Sequence, residues 1–361
     1  MRSVLVDKIA SVAQHSNLGP ELRLADEIPC EEGVLIAARV LNNKSRYNQL
    51  ELVSGRMATV NRGDVVVGAL GHRKALRGYS GHLPASLAVG EQVQLLNIGG
   101  VMGICDSANP DVGAPFDCEV LGTVLHFPYL GERIGVPARA GRAAYDADAP
   151  LDTGGVPVVA LAGTCMDSGK TVASCAIVAG LRHHGLTVAA CKATGVALRR
   201  DILAMEDAGA SATMIFSDLG IVTTTAANGP ALTRSLLTEL AARGPGAIVV
   251  ELGDGLIGAY GVDAILADPA IRAAFSVVVL CANDPVGAWG GARILREQYG
   301  IEPAVVTGPA TDNDVGIDQI RGRRKLPASH ALAAVAALGD HVAPALRLDR
   351  PRTCANASPS R

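Results

Sequence analysis

Gly163-Thr164-Cys165-Met166-Asp167-Ser168-Gly169-Lys170-Thr171 stands between an apolar run, residues 156–162, and a long amphipathic stretch that begins at Val172. A strand, a glycine-bounded loop ending in Gly-Lys-Thr and a helix, in that order, make a cradle for phosphate. Successive backbone N–H groups and the positive end of the helix point at an anion, the lysine neutralises phosphate charge, and the threonine hydroxyl suits Mg²⁺. The stretch predicts a nucleotide-binding domain whose cofactor-binding residues run from Gly163 to Thr171, with Lys170 catalytic and Thr171 on the metal. The common phosphate-loop pattern wants glycine five residues before Gly169, where this chain has Thr164; Gly163 lies one position further out.

Downstream of this loop, apolar β-branched runs at 187–191, 247–251, 276–281 and 304–307 alternate with helical patterns. Continuous Val/Ile/Leu strands separated by helices call for a parallel sheet covered on both faces, so residues 156–340 are expected to form a doubly wound α/β domain. Upstream, short β-rich runs at 33–41, 64–70, 92–96, 101–105 and 118–125 are punctuated by glycine turns. They predict a smaller β-rich domain over 1–140, a barrel or a sandwich. Residues 138–155 are rich in Ala, Asp and Gly and read as a linker. An Ala-rich last helix is expected at 330–338, and 341–361 is expected to be a flexible tail.

With 361 residues the chain suits two domains, burying roughly three quarters of its extended surface. A net charge of −3 and an aromatic content of 3% supply neither a basic field nor stacking platforms, which argues against nucleic acid as a partner. The eight cysteines are scattered, without a CxxC or metal-ligand spacing, as expected of reduced thiols in a cytoplasmic protein. No apolar run approaches a membrane span and no export signal is evident, so no membrane partner is expected. The expected partner is a small acidic molecule, and the expected assembly a homo-oligomer, a dimer.

In a doubly wound sheet the functional residues gather at the carboxyl ends of strands. The second strand of the domain ends in Cys191-Lys192-Ala193-Thr194-Gly195, which puts a second lysine near a transferring phosphoryl group, with Thr194 and Gly195 beside the substrate. Glu251 closes an otherwise apolar strand, a costly place for a carboxylate unless a cation compensates it, and is expected to be catalytic and a metal ligand. Gly253 and Asp254 follow it as substrate-side residues. In the β-rich half, residues 71–82 hold three glycines, three basic residues and two histidines, an adaptable cationic loop in which Arg73 and Arg77 are expected to meet an acidic substrate, closing as a lid.

The Gly-Thr-x4-Gly-Lys-Thr loop, Lys192-x-Thr-Gly195, Glu251-x-Gly-x-Gly255 and the strand end Asn283 to Gly287 occur in one order, and residues 156–310 so read resemble the dethiobiotin synthetases and their relatives. The Lys192 element departs from that pattern by a spacing two residues shorter. The resemblance implies ATP (with GTP as the alternative) and Mg²⁺ as cofactors, Asp201 and Glu251 as metal ligands, and Asn283 and Gly287 in the substrate pocket, with Trp289 as a possible wall. Where the family reads adenine with an Asn-Arg pair, this chain has 306–313, including Thr307 as the base-binding residue and Asn313. The implied activity is phosphorylation or activation of a small acidic metabolite by a ligase or kinase. Two alternatives stand beside it: a nucleotide-dependent regulator or adaptor, and, because Thr194-Gly195 and the 207–210 run also resemble a P-loop family that includes an amino-acid N-acetyltransferase, an acyl-CoA-dependent N-acyltransferase.

Overall fold

Two sheets are built from the two halves of the chain, and the computed structural model describes them over residues 1–129, 131, 133–332 and 337–346. The first half contains β1 (Arg2–Leu5), β2 (Lys8–Ile9), β3 (Glu21–Ala25), β4 (Leu35–Val40), β5 (Gln49–Glu51), β6 (Met57–Thr59) and β7 (Val65–Leu70). It continues with β8 (Arg73–Lys74), β9 (Tyr79–His82), β10 (Gln92–Leu95), β11 (Val101–Ala108), β12 (Phe116–His126) and β13 (Val136–Pro137). Five of these strands close on themselves: β12 pairs β4, β4 pairs β7, β7 pairs β11, β11 pairs β10, and β10 returns to β12. Closure makes this half a barrel and leaves no edge within the ring for another chain to extend. The pattern that drives it is legible in β10, where Val93 and Leu95 are buried while Gln92 and Gln94 face outward. The ring is narrow: a Cβ at Gly68 would lie 2.2 Å from the carbonyl oxygen of Gly100.

The second half carries β14 (Val158–Gly163), β15 (Val188–Lys192), β16 (Ala212–Ile215), β17 (Ala247–Glu251), β18 (Phe275–Cys281) and β19 (Val305–Thr307). They form a wholly parallel sheet in the order β16-β15-β17-β14-β18-β19. Helices α1 (Lys170–His183), α2 (Arg200–Asp207), α3 (Gly229–Ala241), α4 (Val262–Ala267), α5 (Pro269–Ala274), α6 (Pro285–Tyr299), α7 (Asp314–Arg324) and α8 (Ala337–Val342) complete it. Two apolar cores result, one around Leu232, Leu236 and Val250 and the other around Ile177, Leu181 and Val249. Neighbours Val249 and Val250 belong to different cores, as alternation along a strand buried on both faces requires. This is the expected α/β P-loop architecture preceded by a β-rich unit.

Several local expectations are altered. Strand β16 has no sequence signal, being four residues with a half-buried start at the sheet edge. Residues 138–155 do not behave as a solvated spacer: Ala138 and Ala140 enter the barrel core, and Tyr145 and Leu151 pack on the α/β core. Of the helix expected at 330–338, Ala331 and Leu332 form a turn, Ala337 and Leu338 belong to α8, and 333–336 lie outside the described residues. At the start of the expected tail, Val342, Ala343 and Leu346 are buried in the core beside α1, so the chain is packed up to 346; the rest of the tail, 347–361, lies outside the described residues.

Candidate functional site

Strand β14 ends on Gly163, and the loop that follows is pinned from both sides. The Thr164 N–H donates to the Cys281 carbonyl at 2.9 Å, and the Leu256 N–H donates to the Gly163 carbonyl at 2.8 Å. Asp167 and Gly169 take left-handed φ values of 60° and 83°, which turns the chain into the first residue of α1, Lys170. The Lys170 ammonium folds back over the loop, donating to the Cys165 carbonyl at 2.9 Å and the Ser168 hydroxyl at 3.3 Å. The displaced glycine now has a physical reason. A Cβ on Gly163 would lie 2.4 Å from Ser168 Oγ and 2.7 Å from Lys170 Nζ, so a larger residue would push the lysine and serine side chains off this path.

Parallel register brings the other chemistry alongside. Lys192 and Glu251 are paired positions at the ends of β15 and β17, and Leu161 near the end of β14 is paired with the same glutamate. Lys192 is buried and ion-paired to Asp201 in the first turn of α2. Burial pulls its ammonium pKa down, but Asp201 and Glu251 outweigh that and hold it above its ordinary value. Glu251 is only 2% exposed. Burial and the Asp201 charge push its carboxyl above the usual range, against the pull of Lys192, Lys170 and a hydrogen bond from the Thr171 hydroxyl. Its Oε2 is buried without a hydrogen-bond partner.

These groups face a cavity of about 1120 Å³ between the two halves. On the α/β side it is lined by residues 166–172, Lys192, Gly195, Asp201, Glu251, Gly253, Asp254 and Tyr260. On the barrel side lie Tyr47, Arg73, Arg77, Asn97, Ile98 and Val112. The barrel is tied directly to the cavity edge of the sheet. The buried Glu51 carboxylate accepts from the N–H groups of Arg199 at 2.7 Å and Arg200 at 2.6 Å, the entry to α2. The Asn97 amide donates to the Ala197 carbonyl at 2.8 Å, and the Lys74 N–H donates to the Tyr260 hydroxyl at 2.9 Å.

Several expected site residues stand elsewhere. Residues 71–82 are not an adaptable loop but the β8–β9 hairpin, and Arg73 is buried, donating to the Tyr47 hydroxyl at 2.9 Å and to the Leu96 carbonyl. A guanidinium so held is part of a wall rather than of a swinging lid; Arg77, in the exposed turn, keeps its reach. Thr194 is buried with its hydroxyl committed to the Gly253 carbonyl at 2.9 Å, whereas Gly195, at φ 128°, does reach the cavity. Asn283 and Gly287 are not among the cavity-lining residues. The Asn283 amide donates to Cys165 Sγ at 3.1 Å, and Gly287 donates its N–H to Asp284 at 2.8 Å as part of the α6 cap. Thr307 is fully buried, with its hydroxyl unpartnered, and is not among the cavity-lining residues. Trp289 lies outside the cavity, with the Arg293 guanidinium 5.9 Å from its ring. Asp254, at φ 74°, accepts from the Ala259 N–H at 3.1 Å, and burial raises its carboxyl pKa.

Among the described residues no cluster of three His, Cys, Asp or Glu side chains is placed to hold a metal. A cation here would rest on Glu251 and the Thr171 hydroxyl, because Asp201 already neutralises Lys192. No helix among the described residues is long and apolar enough to cross a membrane. Tyr47, Glu51, Asn97 and Tyr260 carried no sequence signal, since each acts across the seam between the halves.

No protein-family model matches the chain, and no curated protein matches it. Solved structures with partial likeness include the signal recognition particle receptor FtsY from Elizabethkingia anophelis, at 12% identity and a TM-score of 0.40 over 53% of this chain and 65% of that one. A DUF1611 family protein from Anabaena variabilis matches at 12% identity and a TM-score of 0.40, over 58% of this chain and 62% of that one. The signal recognition particle 54 kDa protein from Aeropyrum pernix, solved with GDP, matches at 18% identity and a TM-score of 0.37, over 56% of this chain and 49% of that one. In all three the chain spans less than two thirds of the matched protein's length. At such distance the fold rests on the molecule's own features, the parallel strand order and the loop between β14 and α1: a P-loop α/β fold joined to a closed barrel.

Proposed function

We propose that the protein is an ATP- and Mg²⁺-dependent enzyme that phosphorylates or activates a small acidic molecule, in the manner of the dethiobiotin synthetases its sequence resembles. The observation that supports it best is Glu251, a buried carboxylate with an unpartnered oxygen, hydrogen-bonded to Thr171 and flanked by Lys170 and Lys192. An orphaned buried carboxylate oxygen beside a phosphate cradle fits a hard cation, which favours one or two carboxylates together with phosphate oxygens. Bound there, Mg²⁺ supplies charge neutralisation on the phosphates. The loop amides and Lys170 hold the phosphate chain once its ammonium leaves the Cys165 carbonyl, Glu251 and Thr171 hold the metal, and Asp201 keeps Lys192 protonated and aimed at the same edge. Catalysis in such a site is positioning and electrostatic stabilisation.

A second reading, an acyl-CoA-dependent N-acyltransferase, is favoured by one feature. The cavity extends past Cys175, Ala176 and Ala179 of α1, Ala204 of α2 and Ala208 just after it, an apolar strip suited to a pantetheine arm leaving the phosphates. Thermal shift with ATP, GTP, CoA and acetyl-CoA, each with and without Mg²⁺, separates the two, since a ligand of the native state raises apparent stability. The leading reading expects a Mg²⁺-dependent rise with ATP that Lys170→Ala abolishes. A rise with acetyl-CoA alone, indifferent to Mg²⁺, supports the second.

A further inference from the structure

The barrel wall of the cavity carries Arg73 and Arg77, with Lys44 behind it on the Tyr79 ring, and among the described residues none of the ion pairs includes any of the three. Arg73 is only 7% exposed, and its Nε is buried without an acceptor. Its guanidinium lies 5.5 Å from the ring of Tyr47 and 5.9 Å from that of Tyr79. Lys44 stacks on the other ring contact, 5.3 Å from Tyr79, and donates to the Tyr79 hydroxyl at 2.7 Å. Buried charge is ordinarily paired, because desolvating an ion without a partner costs several kcal/mol or more. Aromatic faces and carbonyls offset part of that cost and leave the net charge standing.

Tyr47 is the second, independent observation. It takes φ 49°, a left-handed conformation that a bulky aromatic residue adopts only when its surroundings hold it there, and such strain concentrates at ligand sites. Its hydroxyl accepts from Arg73 Nη1 at 2.9 Å, so the hydroxyl proton is left to donate elsewhere, and the ring lines the cavity. Arg77, in the turn between β8 and β9, lines the same wall and is exposed. The cavity, at about 1120 Å³, exceeds the roughly 300–1,000 Å³ of common small-molecule pockets, which leaves room for a second ligand beyond the phosphate loop.

We infer that this wall is a separate subsite for a carboxylate. The Tyr47 hydroxyl and the Arg77 guanidinium touch the carboxylate, while Arg73 is a positioning residue that orients Tyr47 and supplies the field behind it. The inference rests on the proposed function only in requiring a second substrate that is not the nucleotide. A guanidinium fork beside a single hydroxyl donor matches a planar two-oxygen anion, and a carboxylate is favoured over phosphate because phosphate already has its cradle at Lys170.

The test is calorimetric titration of glutarate, butyrate and inorganic phosphate into the full chain, with and without ATP and Mg²⁺. Wild type is expected to bind glutarate, and Tyr47→Phe and Arg77→Ala each to weaken it about tenfold or more while ATP affinity stays within about twofold. Arg73→Lys is expected to weaken glutarate as Tyr47→Phe does, and the double variant no more than either alone, which a merely structural role for Arg73 does not predict. Lys170→Ala should lose ATP yet keep glutarate. Absence of any carboxylate binding to wild type, indifference to both Tyr47→Phe and Arg77→Ala, or loss of glutarate in Lys170→Ala would each overturn the subsite. Retained glutarate binding in a wild-type protein that binds no nucleotide would instead sink the proposed function and leave the subsite standing.

Discussion

At the scale of single residues, Glu251 joins stability to function. Its folded-state carboxyl keeps its proton to a higher pH than the ordinary 4.5, so the native state binds more protons than the unfolded chain across that window. The sign follows: this group's contribution to stability is lost as pH rises from the ordinary value through the raised one. Glu251→Gln mimics the neutral acid and should remove that part of the slope, making the ligand-free protein more stable than wild type at neutral pH while weakening Mg²⁺-dependent ATP binding. Urea unfolding at a series of pH values checks it, and parallel slopes for the two proteins would refute the assignment. Gly163 makes a complementary case. Gly163→Ala puts a methyl 2.4 Å from Ser168 Oγ and 2.7 Å from Lys170 Nζ, both movable side-chain atoms, so the fold should lose little while the Lys170 ammonium loses its place over the loop and nucleotide affinity falls. A nucleotide affinity equal to that of wild type would show that the loop absorbs the extra carbon elsewhere.

At the scale of elements, α2 is a helix whose N-terminal amides are satisfied by a different half of the protein. No side chain of its own caps it, and Glu51 of β5 does so instead from 148 residues away along the chain. A negative group there also meets the positive end of the helix dipole. Glu51→Gln keeps the shape and removes the charge, and is expected to cost about 1–3 kcal/mol. Faster hydrogen exchange at the amides of Arg199 and Arg200 is the specific signature, and unchanged exchange there would refute the cap. This element also marks the limit of what the sequence discloses. The loop at 163–171, Lys192 and Glu251 were legible because each is a local pattern at a strand end. Glu51 sits in a three-residue strand, and Tyr47 in no regular element, so only tertiary contact reveals their use. The same reasoning explains Thr307, Asn283 and Thr194: strand order put them at the right edge, but side-chain direction sent their polar atoms into the protein rather than the cavity. The cationic hairpin misled in the opposite way, because composition reads charge without seeing that Arg73 is stacked between two rings.

For the molecule as a whole, the seam between barrel and sheet is polar, apolar and continuous with the site. Ala197 and Val222, from the α/β half, are buried in the barrel core. Glu32 accepts from the N–H groups of Val222 at 3.1 Å and Thr223 at 2.8 Å, and the Thr223 hydroxyl donates to the His72 carbonyl at 2.5 Å. On the far side Asp218 contacts His15 at 2.8 Å and Gln14 at 3.0 Å. If the halves part, these hydrogen bonds are exchanged for bonds to water and the apolar surface around Ala197 and Val222 is exposed, so separation forfeits the net contribution of each bond together with the apolar burial. The two halves are therefore expected to unfold in one cooperative step. Trp289 reports on α6, while far-ultraviolet circular dichroism reports on both halves, and their denaturation midpoints should coincide. Ligand in the cavity touches both walls, so it should move both probes by the same amount. Val222→Ala is the informative variant: it thins the apolar plug in the barrel without touching the cavity lining, and should lower the common midpoint by removing buried methyl groups. If it splits the transition, the seam holds the halves only marginally, and the cavity between them opens as a hinge rather than standing as a fixed pocket.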